Sequence, residues 1–110
     1  MAESVYDFHE RFDIPQINIF SDDDIDIWNA LSSRLALQME ELGEMSRAVS
    51  KANWAEACLE SGDVLYVALG NVLRLGESGK DVCYSVVEKN DNKTTKNSKI
   101  GAGGKITQHA

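Results

Sequence analysis

The stretch MEELGEMSRAVSKANWAEACLESGD, residues 39–63, decides the fold. It holds two acidic pairs, Glu41/Glu44 and Glu60/Asp63, each three residues apart and each set in apolar surroundings that read as helix. Side chains three apart on an α-helix leave one face about one turn from each other. Like charges placed that way repel, so two such pairs on neighbouring helices are most simply explained by a cation between them. The pairs centre between residues 42 and 43 and between 61 and 62, so a symmetric hairpin turns near residue 52. The sequence there is Ser50-Lys51-Ala52-Asn53-Trp54-Ala55-Glu56, which carries a capping box in its Asn form, with Asn53 as N-cap and Glu56 three residues on. At ~1.5 Å rise per residue each pair lies roughly 14 Å from the turn, and the four carboxylates meet at one height between antiparallel helices.

Working outward, Trp28, Leu31, Leu35, Leu42, Met45 and Val49 form a stripe at helical spacing that ends at the turn, and Trp28 on that stripe reads as core. Ser21 followed by three aspartates supplies the start, a hydroxyl cap with acids in the first turn. On the far side, a helix from about Trp54 to Leu75 is apolar on most faces, as the centre of a bundle is, and stops at Gly76 as its C′ residue. ESVYDFHERFD, residues 3–13, reads as a short helix closed by Pro15, and residues 14–20 run extended. Residues 80–89 read as a last helix burying Val82, Val86 and Val87, with a strand as the minority reading because of the β-branched residues. The fold class expected is all-α, antiparallel helices of four-helix-bundle type completed by oligomerisation, as a domain over residues 1–96. Residues 97–110, Asn-, Gly-, Lys- and Thr-rich with almost nothing to bury, are expected to be a flexible basic tail.

With 110 residues and a formal net charge of −7, the chain has room for one modest core. Residues 1–88 carry a net −11 and residues 89–110 a net +4, and a body that acidic argues against a nucleic-acid polymer as partner. The N-terminus lacks the basic flank and apolar run of a secretory signal, and the longest apolar stretch, Val64–Leu75, is interrupted by Gly70, Asn71 and Arg74. A soluble, cytoplasmic protein with no membrane partner is expected. Cys58 and Cys83 occur without a CxxC or Cys/His cluster, so free thiols are expected.

Four carboxylates without His or Cys nearby suit Mg²⁺, with Mn²⁺ as a substitute, rather than zinc, and leave coordination positions for a polyphosphate. Gly43 and Gly62, each just before the last carboxylate of its pair, cost ~1 kcal/mol relative to Ala in a helix interior and suggest a site needing close approach. Glu40-Glu41-Leu42-Gly43-Glu44, then fifteen residues, then Glu60-Ser61-Gly62-Asp63, resembles the EExxE…ExxD signature of the MazG-like all-α nucleoside triphosphate pyrophosphohydrolases. DVLYVALG after the second pair, the opening DFHERFDIP, and Lys89-Asn90-Asp91-Asn92-Lys93, which is similar to the SNxxK segment of that superfamily with departures at Lys89 and Asp91-Asn92, extend the likeness over most of the chain. The resemblance implies cleavage of a (d)NTP between the α and β phosphates to a monophosphate and pyrophosphate, as house-cleaning of noncanonical or excess nucleotides. By position it makes Glu41, Glu44, Glu60 and Asp63 metal ligands and sets Glu40 behind them. It has Glu40 or Glu41 help deprotonate the attacking water, and places Asn90 and Lys93 on the substrate's sugar or phosphate.

Other residues are weighed against plainer roles. Trp54 at the mouth of the hairpin is a candidate for stacking on a base or for stapling the turn. Lys96 and Lys99 are candidate phosphate contacts or charge balance for the acidic body. His9 reads as a solvated side chain, Tyr66 as a buried tyrosine with a satisfied hydroxyl, and Arg34 and Arg47 as surface partners of nearby acids. A homodimer or homotetramer is expected. Two alternatives stay open: phosphoribosyl-ATP pyrophosphohydrolase activity, and a helical interaction module whose acids are only a solvated face.

Overall fold

The computed structural model describes residues 1–109. It is all-α in its main body: α1 (Ala2–Arg11), α2 (Asp24–Ser50), α3 (Trp54–Arg74) and α4 (Gly76–Asp91) are followed by two three-residue strands, β1 (Ser98–Ile100) and β2 (Ile106–Gln108). The chain divides into two compact units, residues 1–80 and residues 81 onward.

In the first unit α2 and α3 pair over their lengths and α1 lies on α3. The turn between α2 and α3 forms as the residues dictate. Asn53 Oδ1 accepts from the Glu56 backbone N–H at 3.3 Å while Asn53 Nδ2 donates to Glu56 Oε2 at 2.9 Å, and Ala52 takes the left-handed conformation at φ 55°. Gly76 ends α3 with φ 58°, where only a residue lacking Cβ is unstrained, so its C′ role holds. The start of α2 differs from expectation. Asp23, not Ser21, is the N-cap, its Oδ1 accepting from Ile25 N–H at 2.9 Å. Ser21 is left in a turn in which Asn18 and Asp22 bond to local backbone N–H groups, a competition that short polar side chains often win.

The apolar stripe of α2 is not a core. Trp28 is 68% exposed and Leu35 61%, and Leu42 and Val49 are exposed as well. The expected burial fails because α3 covers only one side of α2. Val82, Val86 and Val87 of α4 are likewise exposed, against expectation. What the chain buries by itself is small: Val5, Ile17, Ala48 and Ala57. Ile17 reaches that core because its N–H donates to the Arg74 carbonyl at 2.6 Å, tying the segment after α1 to the end of α3.

His9 and Arg34 depart further. His9 is 6% exposed, on the inner face of α1, rather than solvated. Arg34 forms no surface pair: its Nε donates to Asn71 Oδ1 at 2.7 Å and its Nη2 to the Val67 carbonyl at 3.3 Å, and Asn71 in turn donates to Gln38 Oε1. Gly70 makes room for this, since a Cβ there would stand 2.5 Å from Arg34 Nη2 and 2.8 Å from His9 Nε2. The close approach expected at Gly43 and Gly62 is absent. A Cβ at Gly62 would meet nothing within 4 Å, and one at Gly43 only Arg47 Nη1 at an ordinary 3.6 Å.

In the second unit the segment expected to lack regular structure contains a two-stranded antiparallel hairpin, Ser98 opposite Gln108, Lys99 opposite Thr107 and Ile100 opposite Ile106. Gly103 and Gly104, both at positive φ, turn the chain between the strands. Two-residue alternation puts Ser98, Ile100, Ile106 and Gln108 on one face.

Candidate metal centre

The paired helices bring the acids together. One carboxylate oxygen each from Glu41, Glu60 and Asp63 lies within 4.8 Å of the others, two of the residues half-buried and Asp63 at the surface. The mechanism is the one the spacing implied: Glu41 leaves α2 and Glu60/Asp63 leave α3 toward the same height across the hairpin. Glu44 borders the group, its charge acting on both Glu41 and Glu60, whereas Glu40 is exposed and acts on Glu41 alone.

Electrostatically the group is in conflict. Lost hydration, then the charges of Glu44, Asp63 and Glu40, push the Glu41 carboxyl above the usual carboxylate range. Glu60 is pushed up by the same loss of hydration and by Glu44, Asp63 and Glu41. Its Oε2 is buried and has no hydrogen-bond partner. An acceptor without a donor is unfavourable, and positive charge brought to the group would relieve it. The donors are all oxygens, with no His or Cys among them, and both cysteines are free and exposed elsewhere. Such a set fits Mg²⁺ or Mn²⁺ and not zinc.

On the turn side of the acids is a polar cavity of about 330 Å³ lined by Glu44, Arg47, Ala48, Lys51, Glu56 and Glu60. Sequence reading missed Arg47 and Lys51 as members of this site. The signal was present: they follow Glu44 by three and seven residues, which is the same helix face.

Trp54 is the first residue of α3 and 64% exposed. Tyr66 does not join the acids, for its hydroxyl donates to the Ser4 carbonyl at 3.2 Å and its ring meets Phe8 edge-on, which satisfies it as expected. Asn90 and Lys93 belong to the second unit and meet there: Lys93 Nζ donates to Asn90 Oδ1 at 3.2 Å and to the Ile106 carbonyl at 3.1 Å. Both line a cavity of about 500 Å³ with Thr94, Thr95, Ile100 and Ile106; Lys96 does not, while Lys99 does. Among the described residues no helix is long and apolar enough to cross a membrane.

The helical hairpin thus presents carboxylates from both of its helices to one point. Residues 5–90 match the phosphoribosyl-ATP pyrophosphohydrolase family, and the chain belongs to it. That family is a branch of the MazG-like pyrophosphohydrolase superfamily and acts on phosphoric anhydrides of nucleotides. Searches of curated protein sequences and of solved structures return no match.

Proposed function

We propose that the protein is a Mg²⁺-dependent nucleotide pyrophosphohydrolase that splits a nucleoside triphosphate group between its α and β phosphates. The observation that carries this reading is the convergence of Glu41, Glu60 and Asp63 within 4.8 Å around a buried Glu60 oxygen that has no partner. Glu41, Glu44, Glu60 and Asp63 would hold the metal. When bound, the metal supplies positive charge to the phosphates and lowers the pKa of water at the site. The chain's own share is to hold the polyphosphate beside a carboxylate able to take a proton. The water oxygen bonds to phosphorus as the α–β bridging P–O bond breaks, the electron pair leaves with pyrophosphate, and Glu41 or Glu40 accepts the water's proton. Asn90 and Lys93 are proposed as contacts to sugar or phosphate, with Lys96 and Trp54 as further candidates.

Two substrates are in view. A (d)NTP, cleared as noncanonical or excess nucleotide, follows from the motif resemblance, and phosphoribosyl-ATP is favoured by the description of the matching family. Pyrophosphate release from phosphoribosyl-ATP and from a panel of common and modified dNTPs, assayed side by side with Mg²⁺, separates them. No release from any of these, together with no thermal shift from Mg²⁺ plus a nonhydrolysable dNTP, leaves the interaction-module reading instead.

The exposed α2 stripe supports assembly into a homodimer or homotetramer, because an apolar row such as Trp28, Leu31, Leu35 and Met39 is rarely left in water on a monomer. A second copy laid along it would complete a four-helix bundle. Analytical ultracentrifugation of Trp28→Glu is expected to show dissociation toward monomer, and a wild-type protein that sediments as a monomer at micromolar concentration overturns the assembly.

A further inference from the structure

Arg47 and Lys51 give the substrate a direction. The acids lie on the hairpin in two levels, Glu41 with Asp63 farther from the turn and Glu44 with Glu60 nearer to it, since the first two are each eleven residues from residue 52 and the other two each eight. The cavity on the turn side carries the Arg47 guanidinium and the Lys51 ammonium on the same walls as Glu44 and Glu60. Going the other way along the same helices, the Arg34 guanidinium donates to Asn71 Oδ1 and to the Val67 carbonyl, and Asn71 in turn donates to Gln38. Arg47 and Lys51 thus line a cavity beside the carboxylates on the turn side, whereas the cation on the other side, Arg34, is already held by neutral acceptors of the fold.

From this polarity we infer that the Arg47/Lys51 cavity is the subsite for the leaving pyrophosphate, so that a bound triphosphate runs with its β and γ phosphates toward the hairpin turn and its nucleoside away from it. This deepens the activity proposed above and rests on it. The chemistry is specific. The β and γ phosphates carry most of the substrate's charge, and the electron pair of the breaking bond moves onto them. An arginine fork matches phosphate oxygens two at a time, and a lysine adds a point charge that can follow the departing group. Both residues sit in the last turn of α2 or at its C-cap, where helix geometry holds their stems although their heads are free to reach. About 330 Å³ of mostly polar space accommodates a diphosphate anion, and nothing apolar there offers a surface to a nucleobase except Ala48.

The test is inorganic pyrophosphate binding to the full chain in Mg²⁺, followed by calorimetry, with a nucleoside monophosphate titrated separately. Arg47→Gln and Lys51→Gln are each expected to weaken pyrophosphate roughly tenfold, equivalent to about 1.4 kcal/mol, and to leave the monophosphate's affinity unchanged. In turnover they raise KM for the triphosphate and relieve product inhibition by pyrophosphate. Arg47→Lys, which keeps the charge and loses the fork, is expected to recover part of the affinity. Circular dichroism checks that the helix end is intact, and Lys105→Gln, a loss of the same charge outside the cavity, controls for bulk electrostatics. Unchanged pyrophosphate affinity in both variants, or an equal loss for the monophosphate, overturns the inference while leaving the enzymatic reading in place. A wild-type chain that binds pyrophosphate through these residues and releases none from any triphosphate overturns the enzymatic reading and keeps the anion subsite.

Discussion

The two halves of the α2/α3 pair handle buried polar groups in opposite ways. Away from the turn, Arg34, Asn71, Gln38 and the Val67 carbonyl satisfy one another with neutral acceptors, and His9 closes over them. Seven residues along α2, ~10 Å at helical rise, Glu41 meets Glu60 and Asp63, three like charges at one point with a buried oxygen left unpaired. The Arg34 network closes within the chain, with Arg74 Nε buried and unpaired beside it, whereas the three acids close on nothing the chain supplies. Groups that break the rule of pairing buried charge tend to be there for a ligand, whereas groups that obey it hold the fold. The comparison assigns stability to the Arg34 end and chemistry to the Glu41 end.

Breaking the Glu41 end gives the largest expected effect. Glu41→Gln or Asp63→Asn is expected to lower pyrophosphate release by at least ~1,000-fold, or about 4 kcal/mol of barrier, with the helical circular dichroism unchanged. Retained turnover in either variant removes these residues from the metal site. In Glu60→Gln the metal-free melting temperature rises, because a repelled and unpartnered carboxylate is gone, and the stabilisation by Mg²⁺ is lost. A metal-free melting temperature that falls would instead make Glu60 a structural residue.

Breaking the Arg34 end costs stability rather than chemistry. Gly70→Ala drives a methyl into the Arg34 guanidinium and the His9 ring, and overpacking of that kind costs about 1–3 kcal/mol. Urea unfolding measures it, and an unshifted midpoint means that the Arg34 network can move aside without loss.

A pH titration sharpens the same contrast. Burial first, then the positive charges of Arg34 and Arg74, hold the His9 imidazole below its usual pKa. On acidification through the usual histidine range, ~6.5, the unfolded chain therefore takes up a proton before the folded one does. Stability is full above that range and falls as pH drops through it. In His9→Gln this slope should vanish from denaturation curves recorded between pH 7.5 and 5.5, and a slope that persists places the titration elsewhere.

The smallest effect is expected at Gly62, where the added methyl meets open space. Gly62→Ala should raise the stability of the single chain by up to ~1 kcal/mol through helix propensity. If the variant instead weakens self-association, Gly62 faces the second copy, and its small size is explained between chains rather than within one.

The sequence by itself determined the α2/α3 hairpin, its capped turn at Asn53/Glu56 and the meeting of Glu41, Glu60 and Asp63. These follow from spacings of three to four residues and from one capping box, and helix geometry converts such short-range facts directly into position. The same residues, with Asn90 and Lys93, were enough to resemble the superfamily that contains the matching family. Only the tertiary structure decided the rest. Trp28 was expected inside and lies outside, and of His9 and Arg34, both expected outside, the first is buried and the second half-buried, because burial depends on which face another element happens to cover. Gly70, in sequence only a break in an apolar run, proved to be the glycine that close packing requires, and Arg47 and Lys51 entered the site through a cavity rather than a motif. The hairpin of residues 98–108 has the same origin, since two three-residue strands carry too little local preference to be read until they are paired.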